Sequence, residues 1–285
     1  MTETPPVEIS ASPRLGGELE LGIHENKKIV FPSEQDNKSR LAGKLWYWWC
    51  WLAAAAMLLV VGLPGVLFLY IINRRLWLYP LALWGARTWL QACGTKVKVT
   101  GLENLEEGKN YVFASNHRSY LDTAALFRYA GRRIGLVAKK ELLAVPVMGQ
   151  GMGFVNIIAI DRSNPERARK SMEKAQQVMK DGYSFGVFVE GTRAMPGELL
   201  PFKKGAFHLA LQTGADIIPV AFKNTDRLMG KKTGVLHPGT IDMVLLSPVR
   251  TEGRELTDIL IETRQAIATE MAGGSVGGVS VSLTK

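Results

Sequence analysis

The chain has 285 residues, 47% of them hydrophobic and 21% charged, and carries a formal net charge of +9 at pH 7. That length holds one domain of roughly 200 residues plus extra segments, with enough core to fold without disulfide or metal staples. The basic balance suits an anionic partner, either nucleic acid or a membrane surface, and the two cysteines, Cys50 and Cys93, have neither metal-ligand spacing nor a disulfide framework.

Residues 1–43 are polar, contain Pro5, Pro6, Pro13, Gly16, Gly17 and Pro32, and hold no sustained apolar period. This predicts a disordered tail on the cytoplasmic side. A secretory signal is not expected, because the apolar run begins too late and no small-residue cleavage site stands out.

Residues 44–92 are expected to anchor the chain to a membrane. From Leu45 to Ile72 there are 28 residues without a formal charge, more than the ~20 helical residues that cross a bilayer core. Gly62-Leu63-Pro64-Gly65 interrupts the run. Proline removes a backbone donor and glycine loosens a helix, so a kink or break is predicted there. Two arrangements follow: one kinked helix spanning the membrane, or a helical hairpin that enters and returns to the same face. The flanks do not choose, since Lys38, Arg40 and Lys44 precede the run and Arg74 and Arg75 follow it. All seven tryptophans lie between Trp46 and Trp89, and Trp46, Trp48, Trp49 and Trp51 at the start of the run resemble an interfacial aromatic belt. The stretch Leu76 to Leu90 mixes tryptophans and leucines with Arg87, which suits an interfacial helix. Such a segment favours a membrane over nucleic acid as the anionic partner. The scattered Lys and Arg residues also form no basic stripe, so nucleic-acid binding is not expected.

Residues 93–271 read as an α/β domain, followed by a flexible tail at 272–285. Lys96–Val99 alternates as a strand should. Short apolar runs follow at Tyr111–Ala114, Ile134–Ala138, Ile157–Ile160, Phe185–Val189, Ile217–Phe222 and Ile241–Leu246. Helical patterns at Pro165–Lys180 and Gly205–Thr213 lie between them, and this alternation predicts a mixed, largely parallel sheet flanked by helices.

Two motifs carry chemistry. Asn116-His117-Arg118-Ser119-Tyr120-Leu121-Asp122 follows a strand and leads into a helix expected near Asp122, at a strand end where ligands collect in open α/β sheets. The Asp122 carboxylate, five residues on, can fold back onto the His117 imidazole and fix its tautomer, leaving the other nitrogen to take a proton. Taken alone, such a pair is more often structural. Phe188-Val189-Glu190-Gly191-Thr192-Arg193 runs from a strand into a glycine turn. Amides around Gly191, the Thr192 hydroxyl and the Arg193 guanidinium suit a phosphate, and Arg162, Lys203 and Lys204 are further basic candidates. The bland alternative is a turn closed by a Glu-Arg pair.

Together these residues resemble the 1-acylglycerol-3-phosphate acyltransferases of the wider glycerolipid acyltransferase superfamily. His117 and Asp122, with Asn116 and Ser119, match the first family block. Lys139, Pro146, Gly149 and Ile160-Asp161-Arg162 match the second, Glu190-Gly191-Thr192-Arg193 the third, and Ile218-Pro219-Val220 the fourth. Val189 departs from the usual proline, and Asn156 and Ala159 from the usual glycine and phenylalanine, which bears on acceptor identity more than on reaction type.

The resemblance implies that His117 is the general base, that Asp122 orients it and that Lys139 helps stabilise the oxyanion. It places Asn116, Ser119, Arg162, Glu190, Gly191, Thr192 and Arg193 on the acceptor side. The implied partners are lysophosphatidic acid, an acyl-CoA or acyl carrier protein thioester, and membrane lipids. No cofactor and no metal is expected. No Gly-x-Ser-x-Gly elbow occurs, which argues against a serine acyl-enzyme. The alternatives are an acyltransferase for glycerol-3-phosphate or another lysophospholipid, and a non-catalytic membrane scaffold of the same fold.

Overall fold

A computed structural model describes residues 7–8, 26–31, 39–73, 77–144, 148–160 and 165–273. The expected flexible tail after Met271 lies almost wholly outside the described residues. Two short strands open the chain, β1 (Val7–Glu8) and β2 (Ile29–Val30). β2 pairs antiparallel with a strand much later in the chain, β8 (Glu198–Leu199), and Ile29 is only 1% exposed. The folded unit therefore begins before residue 43, where the sequence showed only a polar tail. A single buried isoleucine carries too little periodicity to be read as a strand.

Helix α1 (Arg40–Met57) starts at Ser39, whose hydroxyl accepts from Ala42 N. It runs through a π-helical turn (Leu58–Gly62) into α2 (Leu63–Ile71). The predicted break at Pro64 is instead a local widening of the helix. Leu63 N donates to Leu58 O, five residues back, and this re-pairs backbone next to a residue that has no N–H to give. The 32 residues from Arg40 to Ile71 are long and apolar enough to cross a membrane by length and composition. Helix α3 (Leu78–Ala92) returns antiparallel beside it. Trp49 Nε1 donates to Ala92 O at 3.0 Å and Trp89 Nε1 to Cys50 O at 3.1 Å. Farther along, Gly65 lets the helices touch: a Cβ there would sit 2.8 Å from Leu81 Cδ2. The apolar run is therefore one continuous helix rather than two short ones broken at Gly62–Gly65, and the hairpin is formed with the separate helix α3. Leu45, Trp48, Leu52, Val60, Leu67, Phe68 and Ile71 stay exposed on its outer side.

The α/β domain continues with β3 (Thr95–Thr100), β4 (Tyr111–Ser115), α4 (Tyr120–Tyr129), β5 (Ile134–Lys139), α5 (Met148–Met152), β6 (Ile157–Ile160), α6 (Pro165–Lys180) and β7 (Ser184–Phe188). After β8 come α7 (Gly205–Thr213), β9 (Asp216–Lys223), α8 (Thr225–Met229), β10 (Gly239–Leu245) and α9 (Leu256–Met271). Seven strands form one sheet in the order β3-β10-β9-β4-β7-β5-β6, parallel at every step except β10 against β9. β4, at its centre, is buried along its whole length, as a strand covered on both faces must be. One face packs against α6, α7 and α9 through Phe185, Phe207, Ile217 and Ile259. The other packs against α3, α4 and α8 through Tyr79, Leu90, Phe113, Leu126 and Phe222.

Candidate functional site

Because β4, β7 and β5 run parallel and side by side, the segments that leave them emerge at one edge of the sheet. Asn116, just past β4, is fully buried. Its amide donates to Phe222 O at 3.0 Å and accepts from Phe222 N at 2.7 Å, tying the exit of β4 to β9. His117 follows at the edge. Ser119 then caps α4, its hydroxyl accepting from Leu121 N, and Asp122 closes a capping box in the first helical turn.

That cap brings the carboxylate back onto the histidine. Asp122 Oδ2 lies 3.0 Å from His117 Nδ1 and also accepts from Arg118 N at 2.7 Å and Ser119 N at 2.8 Å. Asp122 is fully buried, whereas the imidazole is 15% exposed. Phe188 stacks on the ring, centroids 4.0 Å apart and planes within 22°. A buried carboxylate on Nδ1 and an aromatic wall leave Nε2 as the nitrogen that can meet a ligand.

Glu190 is 2% exposed. It accepts from His117 N at 2.6 Å through one oxygen and from Leu200 N at 2.7 Å through the other. Burial pushes its carboxyl up to about 7, against the pull of those two amides and of Arg118. Asn116, Ser119 and Glu190, expected on the acceptor side, have their polar groups engaged with backbone behind His117, where they hold the loop in place.

Gly191 takes a positive φ of 72°, and its N–H closes a turn onto Phe188 O at 3.0 Å. That amide is unavailable to a phosphate. Thr192 is exposed. The Arg193 guanidinium lies 3.6 Å from the centroid of the Tyr120 ring, and Tyr120 in turn meets Trp51 of α1 edge-on at 5.3 Å. Lys231 Nζ bonds the Arg193 carbonyl. Ala194 N donates to His117 O at 2.7 Å, so the two motifs are joined backbone to backbone.

Lys139 ends β5. By strand register it is level with Val189 and Asn116, about 10 Å along the sheet from the latter, and its side chain lies outside the described residues. Arg162 is also outside them. Lys203 and Lys204 are exposed.

Two arrangements had no signal in the sequence. Arg118, inside the first motif, pairs with Asp226 at 3.0 Å and donates to Glu198 O at 2.9 Å, and both charged residues are buried. Asp226 also accepts from Gly197 N at 2.9 Å. Arg264 of α9 is fully buried, bonds Leu200 O at 2.8 Å and Lys27 O, and is lowered by burial to about 10. These pairs span from 29 to 237 residues of sequence. No local pattern foretells them.

With this geometry in place, the chain can be set against known proteins. The acyltransferase family model matches residues 96–223, which include the His117 and Glu190 motifs and the strands that carry them. That segment is similar to the acyltransferase family. An uncharacterized acyltransferase of Schizosaccharomyces pombe is 38% identical over 60% of this chain and 64% of its own length. The 1-acyl-sn-glycerol-3-phosphate acyltransferase of Saccharomyces cerevisiae is 41% identical over 56% of this chain and 53% of its own. The mouse 1-acyl-sn-glycerol-3-phosphate acyltransferase alpha is 36% identical over 58% and 59%. The chain thus spans a little over half of these curated relatives. The crystal structure of the 1-acyl-sn-glycerophosphate acyltransferase PlsC from Thermotoga maritima superposes with a TM-score of 0.70 at 24% identity, over 82% of this chain and 98% of that one. The two share a fold.

Proposed function

We propose that this acyltransferase moves a fatty acyl group from a thioester to the free hydroxyl of lysophosphatidic acid, forming phosphatidic acid. One observation carries the reading: the buried Asp122 carboxylate lies 3.0 Å from Nδ1 of a partly exposed His117, inside a domain of this family. The printed activities of the yeast and mouse relatives supply the substrate class.

His117 Nε2 takes the proton of the acceptor hydroxyl while Asp122 stabilises the imidazolium that forms. The acceptor oxygen attacks the thioester carbonyl and gives a tetrahedral intermediate. Its collapse breaks the C–S bond, and the departing thiolate receives the proton held by His117. Lys139 stays our candidate for oxyanion stabilisation because of its level at the sheet edge. Arg193, held over Tyr120, and Thr192 are assigned to the acceptor phosphate, with Arg162 as a further contributor. The hairpin holds the domain at the membrane, on the cytoplasmic face, where acceptor and product reside. Residues 44–92 act as the anchor and 93–271 as the catalytic domain.

The test is acyl transfer by the full chain in detergent micelles, with labelled lysophosphatidic acid and either acyl-CoA or acyl carrier protein thioester. Wild type forms phosphatidic acid with at least one donor, and His117→Ala lowers the rate by about 10²- to 10⁴-fold. Activity that survives the substitution refutes the role of His117. An inert wild type with both donors, but active on glycerol-3-phosphate or another lysolipid, moves the acceptor assignment.

A further inference from the structure

Far from His117, the start of β5 carries a second arrangement of charge and apolar surface. Arg133 is exposed, and its guanidinium carbon lies 4.8 Å from the Tyr79 ring centroid and 5.0 Å from that of Tyr183. Two aromatic faces thus hold the planar group in place. No carboxylate pairs with it among the described residues. Tyr79 is itself fixed, its hydroxyl accepting from Ile134 N at 2.9 Å. Beside the guanidinium opens a groove of about 400 Å³ lined by Trp77, Tyr79, Pro80, Leu83 and Arg133.

The position is distinct from the His117 site. Ile134 is level with Ser184 and Tyr111 at the opposite edge of the sheet, and from Tyr111 to His117 is about 20 Å at 3.3 Å per residue. It is also the end of the sheet where the hairpin turns back. Trp77, immediately before α3, is 63% exposed, and Trp84 on the same helix is 46% exposed. Indole favours the headgroup zone, and the outer face of the hairpin is apolar.

We propose that this groove binds an anionic phospholipid of the bilayer, its phosphate on the Arg133 guanidinium and its chains against Trp77, Pro80 and Leu83. A guanidinium held flat loses little freedom on meeting two phosphate oxygens, which is why arginine suits such sites. The apolar walls distinguish a lipid from a free phosphate, which would leave them uncovered. The inference rests on the hairpin lying at a membrane and not on acyl transfer.

The test uses the full chain in phosphatidylcholine nanodiscs containing a trace of spin-labelled phosphatidylglycerol or spin-labelled phosphatidylcholine. The readout is the motionally restricted fraction of each label. Wild type holds the anionic label about fivefold more strongly, the attraction expected of one basic residue near a membrane surface. Arg133→Gln removes most of that preference. Arg169→Gln, which deletes an exposed arginine on α6, keeps it. His117→Ala keeps it too, so the result is read separately from any acyl transfer. Equal preference in wild type and Arg133→Gln would overturn the proposal, as would an equal loss in Arg169→Gln, since bulk charge would then suffice. Displacement of the label by inorganic phosphate would point to a free-phosphate site and also overturn it. If Arg133→Gln does not incorporate, Trp77→Ala serves instead: loss of anionic label supports the site, and an unchanged fraction refutes it.

Discussion

Asp122→Asn isolates the charge of the carboxylate from its shape. The amide oxygen can occupy the Oδ2 position and still accept from Arg118 N, Ser119 N and His117 Nδ1, which lie 2.7, 2.8 and 3.0 Å away in the wild type. The NH₂ group then falls where Oδ1 is buried with no partner among the described residues. Leaving such a donor unsatisfied costs about 1–3 kcal/mol of stability. The kinetic loss is larger. A unit charge 3.0 Å from an imidazolium is worth about 5.5 kcal/mol at an effective dielectric of 20, and at 1.36 kcal/mol per decade this is about four decades of rate. Because Asp122 is fully buried and His117 only 15% exposed, water screens the pair little. The assay is the initial rate of phosphatidic acid formation at saturating substrates, with unfolding measured on the same detergent preparation. A variant that unfolds within about 3 kcal/mol of wild type yet keeps more than a tenth of its kcat would refute the electrostatic role assigned to Asp122.

Three other outcomes follow from the same loops. In the unfolded chain Glu190 ionises at its ordinary value of 4.5, and in the folded chain near 7. Between those pH values the folded state holds a proton that the unfolded state has released. The stability from this group is therefore complete below about 4.5 and lost as pH rises toward 7, a change on the order of 3 kcal/mol. Urea unfolding from pH 4.5 to 8 checks it, and Glu190→Gln should flatten that part of the profile. Arg118→Ala leaves Asp226 buried without its cation and should destabilise the chain by about 3–5 kcal/mol; replacing Asp226 as well should recover part of the loss. Asn116→Ala leaves the N–H and C=O of Phe222 without their side-chain partner and should cost about 2–4 kcal/mol, read as a lower melting temperature with kcat reduced through the displaced His117 loop.

Strands and helices of the domain were legible where local pattern suffices. The helices Pro165–Lys180 and Gly205–Thr213 and the strand Ile157–Ile160 occur with the bounds predicted, because a period of 3.6 or a bounded apolar run is a property of neighbouring residues. The proximity of His117 and Asp122 was legible for the same reason, since a helix cap brings together residues five apart. The folded segment at Asn26–Phe31 was not. Its place is set by pairing with Glu198–Leu199 and by Arg264, which bonds Lys27 O from the far end of the chain.

The motifs likewise divide by physical cause. Residue type alone carries reactivity, so the sequence offered an imidazole, a carboxylate and a guanidinium as candidates for this domain's chemistry, and an apolar stretch long enough to cross a bilayer. Whether each polar group faces a ligand or the interior depends on which strand ends lie side by side. Strand order is a contact between distant residues and leaves no local trace. Only the tertiary structure could therefore turn Asn116, Ser119 and Glu190 inward as braces of the His117 loop. It also set Arg193 on Tyr120 and folded α3 back along the apolar helix as a hairpin.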